Sequence, residues 1–181
     1  MAELRRSNPT IAECPAVRLL QPASRHVLRG GTEVMSVAGS ALGLEMPEAL
    51  CRATVSADRA ALKLGPDECL LLGPEPAAQE TTSLLEQALG DLPHALVDVS
   101  HRQIALEVRG RHAAFLLNAG CPLDLHTSAF PIGMCTRTVF AKAEIVLWRT
   151  GEEMFQIEVW RSFAAYVSRF LAESEREVGA S

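Results

Sequence analysis

Several signatures are missing from this sequence of 181 residues, and each absence removes a class of function. No apolar run approaches the length of a membrane span. The opening residues, Met1-Ala2-Glu3-Leu4-Arg5-Arg6, are not followed by the apolar centre of a secretory signal. A cytoplasmic protein is expected on those two grounds. Basic residues are in short supply, with 17 Lys and Arg against 22 Asp and Glu and a net charge of −5. Nucleic acid and acidic membrane surfaces both demand a basic footprint, so neither is an expected partner. The cysteines Cys14, Cys51, Cys69, Cys121 and Cys135 include no Cys-x-x-Cys pair. An odd number without a signal peptide argues for reduced, buried or half-buried thiols rather than disulfides or zinc ligands. The histidines show no His-x-x-x-His spacing, and no metal site is expected. No Gly-x-Ser-x-Gly elbow occurs. Gly30-Gly31 lacks the context of a phosphate loop and reads as a turn.

What is present is an ordinary supply of core. Apolar residues make up 48% of the chain, enough for one good core or two small lobes packed as one body. The organising stretch is Leu96 to Leu125. Ala95, Val97 and Val99 share one face of a first strand. Ile104, Leu106 and Val108 alternate with Gln103, Ala105, Glu107 and Arg109 in a second, the period of a half-buried strand. Gly110 breaks that run, Arg111 to Asn118 reads as a short apolar helix, and Ala119-Gly120 ends it in a left-handed turn.

Elsewhere the pattern predicts short strands at Val17 to Leu20 and His26 to Arg29. A helix capped by Thr32 follows and stops at Gly43. Strands are expected at Cys51–Ser56, Ala60–Leu64 and Cys69–Leu72, then a helix capped by Thr81 or Thr82. Thr136 to Arg149 reads as one long strand, with a return strand carrying Phe155, Ile157 and Val159. Ser162 is the expected cap of a final helix whose stripe is Phe163, Tyr166, Val167, Phe170 and Leu171. Residues 1–16 read as an extended arm and 173–181 as a charged tail that frays. Residues 17–172 form the body, with lobes of about 17–94 and 95–172. A faint repeat links His26-Val-Leu-Arg-Gly, a helix, Ala38-Gly39 and Leu42-x-Leu44 to Leu106-Glu-Val-Arg-Gly, a helix, Ala119-Gly120 and Leu123-x-Leu125. It fits two strand-helix-strand halves sharing a sheet, or chance similarity. The elements together give an α+β fold of paired ferredoxin-like units, mainly antiparallel sheet with helices on one side.

No catalytic constellation emerges. Ser100 and His101 are neighbours on extended chain and point to opposite faces, so they do not form a nucleophile and its base. Ser100 is expected to bond nearby backbone and His101 to face outward. Asp98 and Asp124 are expected to settle local turns through backbone amides. The residues that resist a plain structural reading are aromatic and basic. Trp148 and Trp160 fall off the predicted core faces, and Arg102, Arg111, Arg137 and Arg161 lie next to strand ends. Arginine and tryptophan are enriched at binding hot spots, so these six are the candidate subunit-interface residues. Edge tryptophans with arginines lying over apolar surface would give the same pattern.

The order of five segments carries a resemblance. They are Leu64-Gly-Pro-Asp-Glu-Cys-Leu-Leu-Leu72, Val97-Asp-Val-Ser-His-Arg-Gln103, Gly120-Cys-Pro-Leu-Asp-Leu125, Arg137-Thr138 and Arg161-Ser-Phe-Ala-Ala-Tyr166. Over roughly residues 15 to 172 the chain resembles the gamma subunits of heterotetrameric sarcosine oxidase. It departs in having Cys69 where that family often has tryptophan. The family resembles a shortened glycine-cleavage T-protein, a folate-dependent aminomethyltransferase, which implies the T-protein folate-binding fold. The T-protein segment with its glycines and acids corresponds to Ala141-Lys-Ala-Glu-Ile-Val146, which has neither the glycines nor the aspartate pair. The resemblance therefore implies an accessory subunit with no catalytic, cofactor or metal site of its own.

For the assembly, the resemblance implies oxidative demethylation of sarcosine to glycine and hydrogen peroxide, with formaldehyde or methylenetetrahydrofolate as the one-carbon product. The complex is implied to carry FAD, FMN, NAD, zinc and tetrahydrofolate on its other subunits. The flavins lie largely on beta, with FMN covalent there, NAD and folate on alpha, and zinc on delta. Expected partners are alpha, beta and delta, mainly the folate-binding domain of alpha. The alternatives are an autonomous folate-binding protein of the T-protein superfamily and a small-ligand regulatory domain.

Overall fold

Strands and helices follow one another in an order that repeats along the chain. The first passage is β1 (Val17–Leu19), β2 (Ala23–Gly30), α1 (Thr32–Leu42), β3 (Ala53–Ser56), β4 (Arg59–Gly65), β5 (Glu68–Pro74), a 3-10 turn (Glu75–Ala77), α2 (Ala78–Leu89) and β6 (His94–Asp98). The second is β7 (Gln103–Arg109), α3 (Ala113–Asn118), β8 (Cys135–Phe140), β9 (Ala143–Gly151), β10 (Met154–Trp160), another 3-10 turn (Arg161–Phe163) and α4 (Ala164–Gly179). This is a computed structural model, and it describes residues 9–179. Residues 1–8 of the expected arm and 180–181 of the expected tail lie outside the described residues.

Two five-stranded sheets result, in the orders β8-β9-β10-β7-β1 and β3-β4-β5-β2-β6, with every pairing antiparallel. Each carries its helices on one face. Leu106, Ile145, Leu147, Phe155 and Ile157 pack under α3 and α4, and Leu28, Ala61, Cys69 and Leu71 under α1 and α2. The other faces meet. Ala60, Leu62 and Leu70 from one sheet pack with Cys135 and Val146 from the other. The layers are therefore helix, sheet, sheet, helix, as the expected α+β units require.

This stacking corrects several expectations. β7 is not half-buried, because Gln103, Ala105 and Glu107 are covered as well as Ile104, Leu106 and Val108. The lobes do not divide at residue 94. β1 pairs with β7 in the second sheet, and β6 pairs with β2 in the first. The long strand over 136–149 is a hairpin that turns at Ala141-Lys142, with Phe140 opposite Ala143. Ala141 takes φ of 50° there, a left-handed turn without the usual Gly or Asn signal. Both long helices start differently from the expected caps. α2 begins at Ala78 and α4 at Ala164, each behind a 3-10 turn, so Thr81, Thr82 and Ser162 cap neither. Gly31, not Thr32, stands at the N-cap of α1. Gly43 does stop α1, at φ of 63°. Gly120 is needed for a different reason from the expected turn: a Cβ there would lie 2.9 Å from the Phe140 ring.

The described part of the arm is docked. Ala12 N donates to Ser168 Oγ at 3.1 Å and Ala16 N to Glu175 Oε1 at 3.1 Å. Cys14 Sγ donates to Glu175 Oε2 at 2.8 Å. Residues 173–179 thus end α4 rather than fray, with Glu175 bonded to the arm.

Two arginines are buried. Arg149 lies over the Phe155 ring at 4.9 Å and donates to the carbonyls of Leu125, Phe130, Gly151 and Glu152, which pins the loop between α3 and β8. Arg25 of β2 meets Glu158 of β10 between the sheets, Nε to Oε2 at 2.5 Å, with both side chains 2% exposed. Arg25 Nη1 also donates to the Ala23 carbonyl at 2.8 Å, and Gln156 Nε2 donates to Glu158 Oε1 at 2.7 Å. Removing one member of a buried pair strands the other's charge. Arg25→Met is therefore expected to cost about 3–5 kcal/mol in urea unfolding, and Arg25→Met with Glu158→Leu to return to wild-type stability or above. A single variant as stable as wild type would show that the pair does not join the sheets.

Candidate functional site

The site is built where the two passages meet. β6 ends at Asp98, and the chain turns tightly into β7, closed by Arg102 N donating to the Val99 carbonyl at 2.9 Å. Asp98 Oδ1 accepts from Ser100 N at 2.8 Å and from Ser100 Oγ at 2.5 Å. Ser100 Oγ in turn accepts from Arg25 N at 2.8 Å. Ser100 thus bonds nearby backbone as expected, and its proton is committed to Asp98. Asp124 likewise accepts from His126 N at 2.9 Å. Burial acts to raise the Asp98 carboxyl, but the Ser100 hydroxyl and amide lower it more, with His26 and His101 assisting, and it ends below its ordinary value.

The same turn holds the end of β10. Arg161 N donates to the Arg102 carbonyl at 2.9 Å, and Arg161 Nε to the His101 carbonyl at 3.3 Å. The Arg102 guanidinium lies 5.2 Å from the Trp160 ring centroid, a cation–π contact. Trp160 is 40% exposed and Phe163 37%, large apolar surface for one short segment. Beside them opens a cavity of about 320 Å³, lined by Leu20, Arg25, Glu75, Ser100, Gln103 and Arg161 among others. Gln103 is 8% exposed, and its Oε1 has no partner. Arg161 Nη1 is buried without an acceptor. Neither Arg102 nor Arg161 makes an ion pair among the described residues.

Of the six candidate residues, the fold brings Arg102, Trp160 and Arg161 together. The other three stand apart. Trp148 lies between the sheets against the cluster of Leu62, Leu70 and Val146, and its indole N–H is buried without an acceptor. Arg137 pairs with Glu68 across from the neighbouring sheet. Arg111 Nε meets His112 Nε2 at 2.9 Å beside a separate groove of about 990 Å³. Sequence reasoning passed over Glu75 and Gln103. The repeat was the available signal: aligning residues 26–30 with 106–110 places Leu20 to Arg25 opposite Ser100 to Ala105, the two walls of the cavity.

All five cysteines are free. Burial pushes the Cys69 thiol up to about 11 and Cys135 to about 12, so both stay protonated near neutrality. His26 is 1% exposed, with Nε2 2.9 Å from Thr82 Oγ1. Thr82 Oγ1 donates to the Ala78 carbonyl, so His26 Nε2 carries the proton and donates to Thr82. Burial lowers the His26 pKa and nearby Asp98 raises it less, leaving it below the ordinary value.

A neutral native histidine contributes stability that is fully present above the unfolded-state pKa and is lost as pH falls toward the folded one. Stability is expected to drop as pH falls below about 6.5, the ordinary histidine value, by up to about 1.4 kcal/mol per pH unit. The slope should flatten in His26→Gln, as measured by urea unfolding across pH. Equal slopes would show that His26 titrates alike in both states.

The chain is similar to known proteins over most of its length. Residues 31–177 match the family described as sarcosine oxidase, gamma subunit family. Sarcosine oxidase subunit gamma of Corynebacterium sp. (strain P-1) is 38% identical over 118 residues, covering 65% of this chain and 57% of that protein. The subunit gamma of Arthrobacter sp is 32% identical over 139 residues, covering 76% and 68%. The chain thus spans less than two thirds of the first relative's length. Among solved structures, a chain of the heterotetrameric sarcosine oxidase of Corynebacterium sp. U-96 superposes with a TM-score of 0.83 at 31% identity, covering 91% of this chain and 85% of that one. Aminomethyltransferase T of the glycine cleavage system from Bartonella henselae matches with a TM-score of 0.64 at 15% identity, covering 86% and 44%, a likeness of fold alone.

Proposed function

Because this chain belongs to the sarcosine oxidase gamma subunit family, we propose that it serves as the accessory subunit of a heterotetrameric sarcosine oxidase and contributes surface rather than chemistry. The assembly converts sarcosine to glycine and hydrogen peroxide, with formaldehyde or methylenetetrahydrofolate as the one-carbon product. Its FAD, FMN, NAD, zinc and tetrahydrofolate are held by the other subunits, and it works in the cytoplasm. The chain packs mainly against the folate-binding domain of alpha.

One observation carries this reading: the exposed Trp160 with Arg102 stacked on it and Arg161 unmatched beside it. A tryptophan flanked by arginines is the composition of an interface hot spot. Ser100, the nearest hydroxyl, donates its hydrogen bond to Asp98. Arg111 and Arg137 stand apart from this face, and Trp148 belongs to internal packing.

Co-expression with the alpha, beta and delta subunits, followed by native mass spectrometry, tests the proposal. The expected result is a stoichiometric complex that carries flavin and releases peroxide on addition of sarcosine, while the isolated chain binds no flavin. A chain that stays alone in the presence of all three partners would overturn it.

A further inference from the structure

We infer that the Trp160 face receives an aspartate or glutamate side chain from the partner subunit, paired with Arg161 at the rim of the 320 Å³ cavity. The inference rests on the accessory-subunit reading and adds the chemistry of what the face meets. It starts from charge. The chain has 22 acidic residues against 17 basic, yet no carboxylate among the described residues reaches Arg102 or Arg161. The neighbouring acids are mostly committed. Asp98 is bonded to Ser100, and Glu158 to Arg25 and Gln156. Glu75 lines the same cavity, from the first 3-10 turn.

Arg161 is fixed rather than free to seek a partner. Its backbone is tied to Arg102 and its Nε to the His101 carbonyl. With Nε donating to the His101 carbonyl and Nη1 buried, Nη2 is the end of the guanidinium left for an anionic acceptor. Trp160, stiffened by the stacked Arg102, and Phe163 form an apolar shoulder next to it. A protein partner covering the shoulder excludes water from the ion pair and strengthens it, the arrangement of a hot spot ringed by apolar contact. A polyanion fits the face poorly, because Glu75 and the net charge of −5 oppose it. One carboxylate on an otherwise apolar segment meets both demands.

The test uses the co-expressed complex with four variants of this chain: Arg161→Glu, Arg102→Glu, Trp160→Ala and, in the exposed β8–β9 turn, Lys142→Glu as the control. Incorporation into the complex is read by native mass spectrometry and affinity by titration of the separated subunit. Arg161→Glu, Arg102→Glu and Trp160→Ala are each expected to weaken incorporation by about tenfold or more, and Lys142→Glu to leave it unchanged. Added salt should weaken the wild-type association. Circular dichroism of each isolated variant reports the fold. Should Arg161→Glu unfold the chain, the exposed Arg102 and Trp160 variants decide. A wild-type complex into which all three variants enter normally would overturn the carboxylate inference and leave the accessory reading standing. Failure of the wild-type chain to assemble would overturn both.

Discussion

Two sheets that each carry helices on one face can be joined only through their other faces, and the buried pair of Arg25 and Glu158 stands at that junction. Taking both charges out of water is costly, and the pair holds because its geometry and bonding are complete. The guanidinium also reaches the Ala23 carbonyl, and the carboxylate also receives Gln156. The same residue positions the candidate site through its backbone. Arg25 N donates to Ser100 Oγ, and its carbonyl accepts from Val99 N at 2.8 Å. That turn then carries Arg102 and holds Arg161. The ion pair between sheets and the exposed Trp160 face are therefore one connected structure.

The two passages of the chain build the same object twice. In both sheets the order runs from the edge hairpin through the strand before the 3-10 turn to the strand that leads into the first helix. The fifth place is filled by exchange: β6 completes the first sheet, while β1 reaches across to complete the second. Pro74 and Trp160 occupy matching positions before the 3-10 turns, with nearly identical backbone angles of φ −59°, ψ 134° and φ −60°, ψ 135°. The cavity lies between the matching segments Leu20 to Arg25 and Ser100 to Ala105, with Glu75 and Arg161 as matching residues on its wall. A symmetric scaffold has become asymmetric in its side chains at this point.

A face of this kind fits the proposed accessory role. The nearest hydroxyl donates its hydrogen bond to Asp98, and Cys69 and Cys135 are buried thiols pushed to about 11 and about 12. The exposed Trp160 ring carries the Arg102 guanidinium. The likeness to aminomethyltransferase T is one of fold at 15% identity. The same folded frame can hold a reaction in one protein and a docking face in another, because function lives in the side chains set on it.

Local patterns in the sequence determined most of the strands and the helix stop at Gly43, because alternation and left-handed glycine positions depend on near neighbours in the chain. They also singled out Trp160 as off the expected core faces and Arg102 and Arg161 as lying next to strand ends, and the repeat paired β2 with β7. Tertiary structure decided the rest. Alternation names two faces of a strand without saying what covers each. Gln103, Glu107 and Glu158 read as outward until a second sheet lay over them. The hairpin at Ala141 had no turn residue to announce it, and Gly120 is required by the Phe140 ring rather than by its own backbone. Trp148 and Trp160 looked alike in the sequence, and the packing of one sheet on the other buried the first against Val146 and left the second facing outward. A residue's type fixes what it can bond, but only the fold decides whether its partner lies within the chain or outside it.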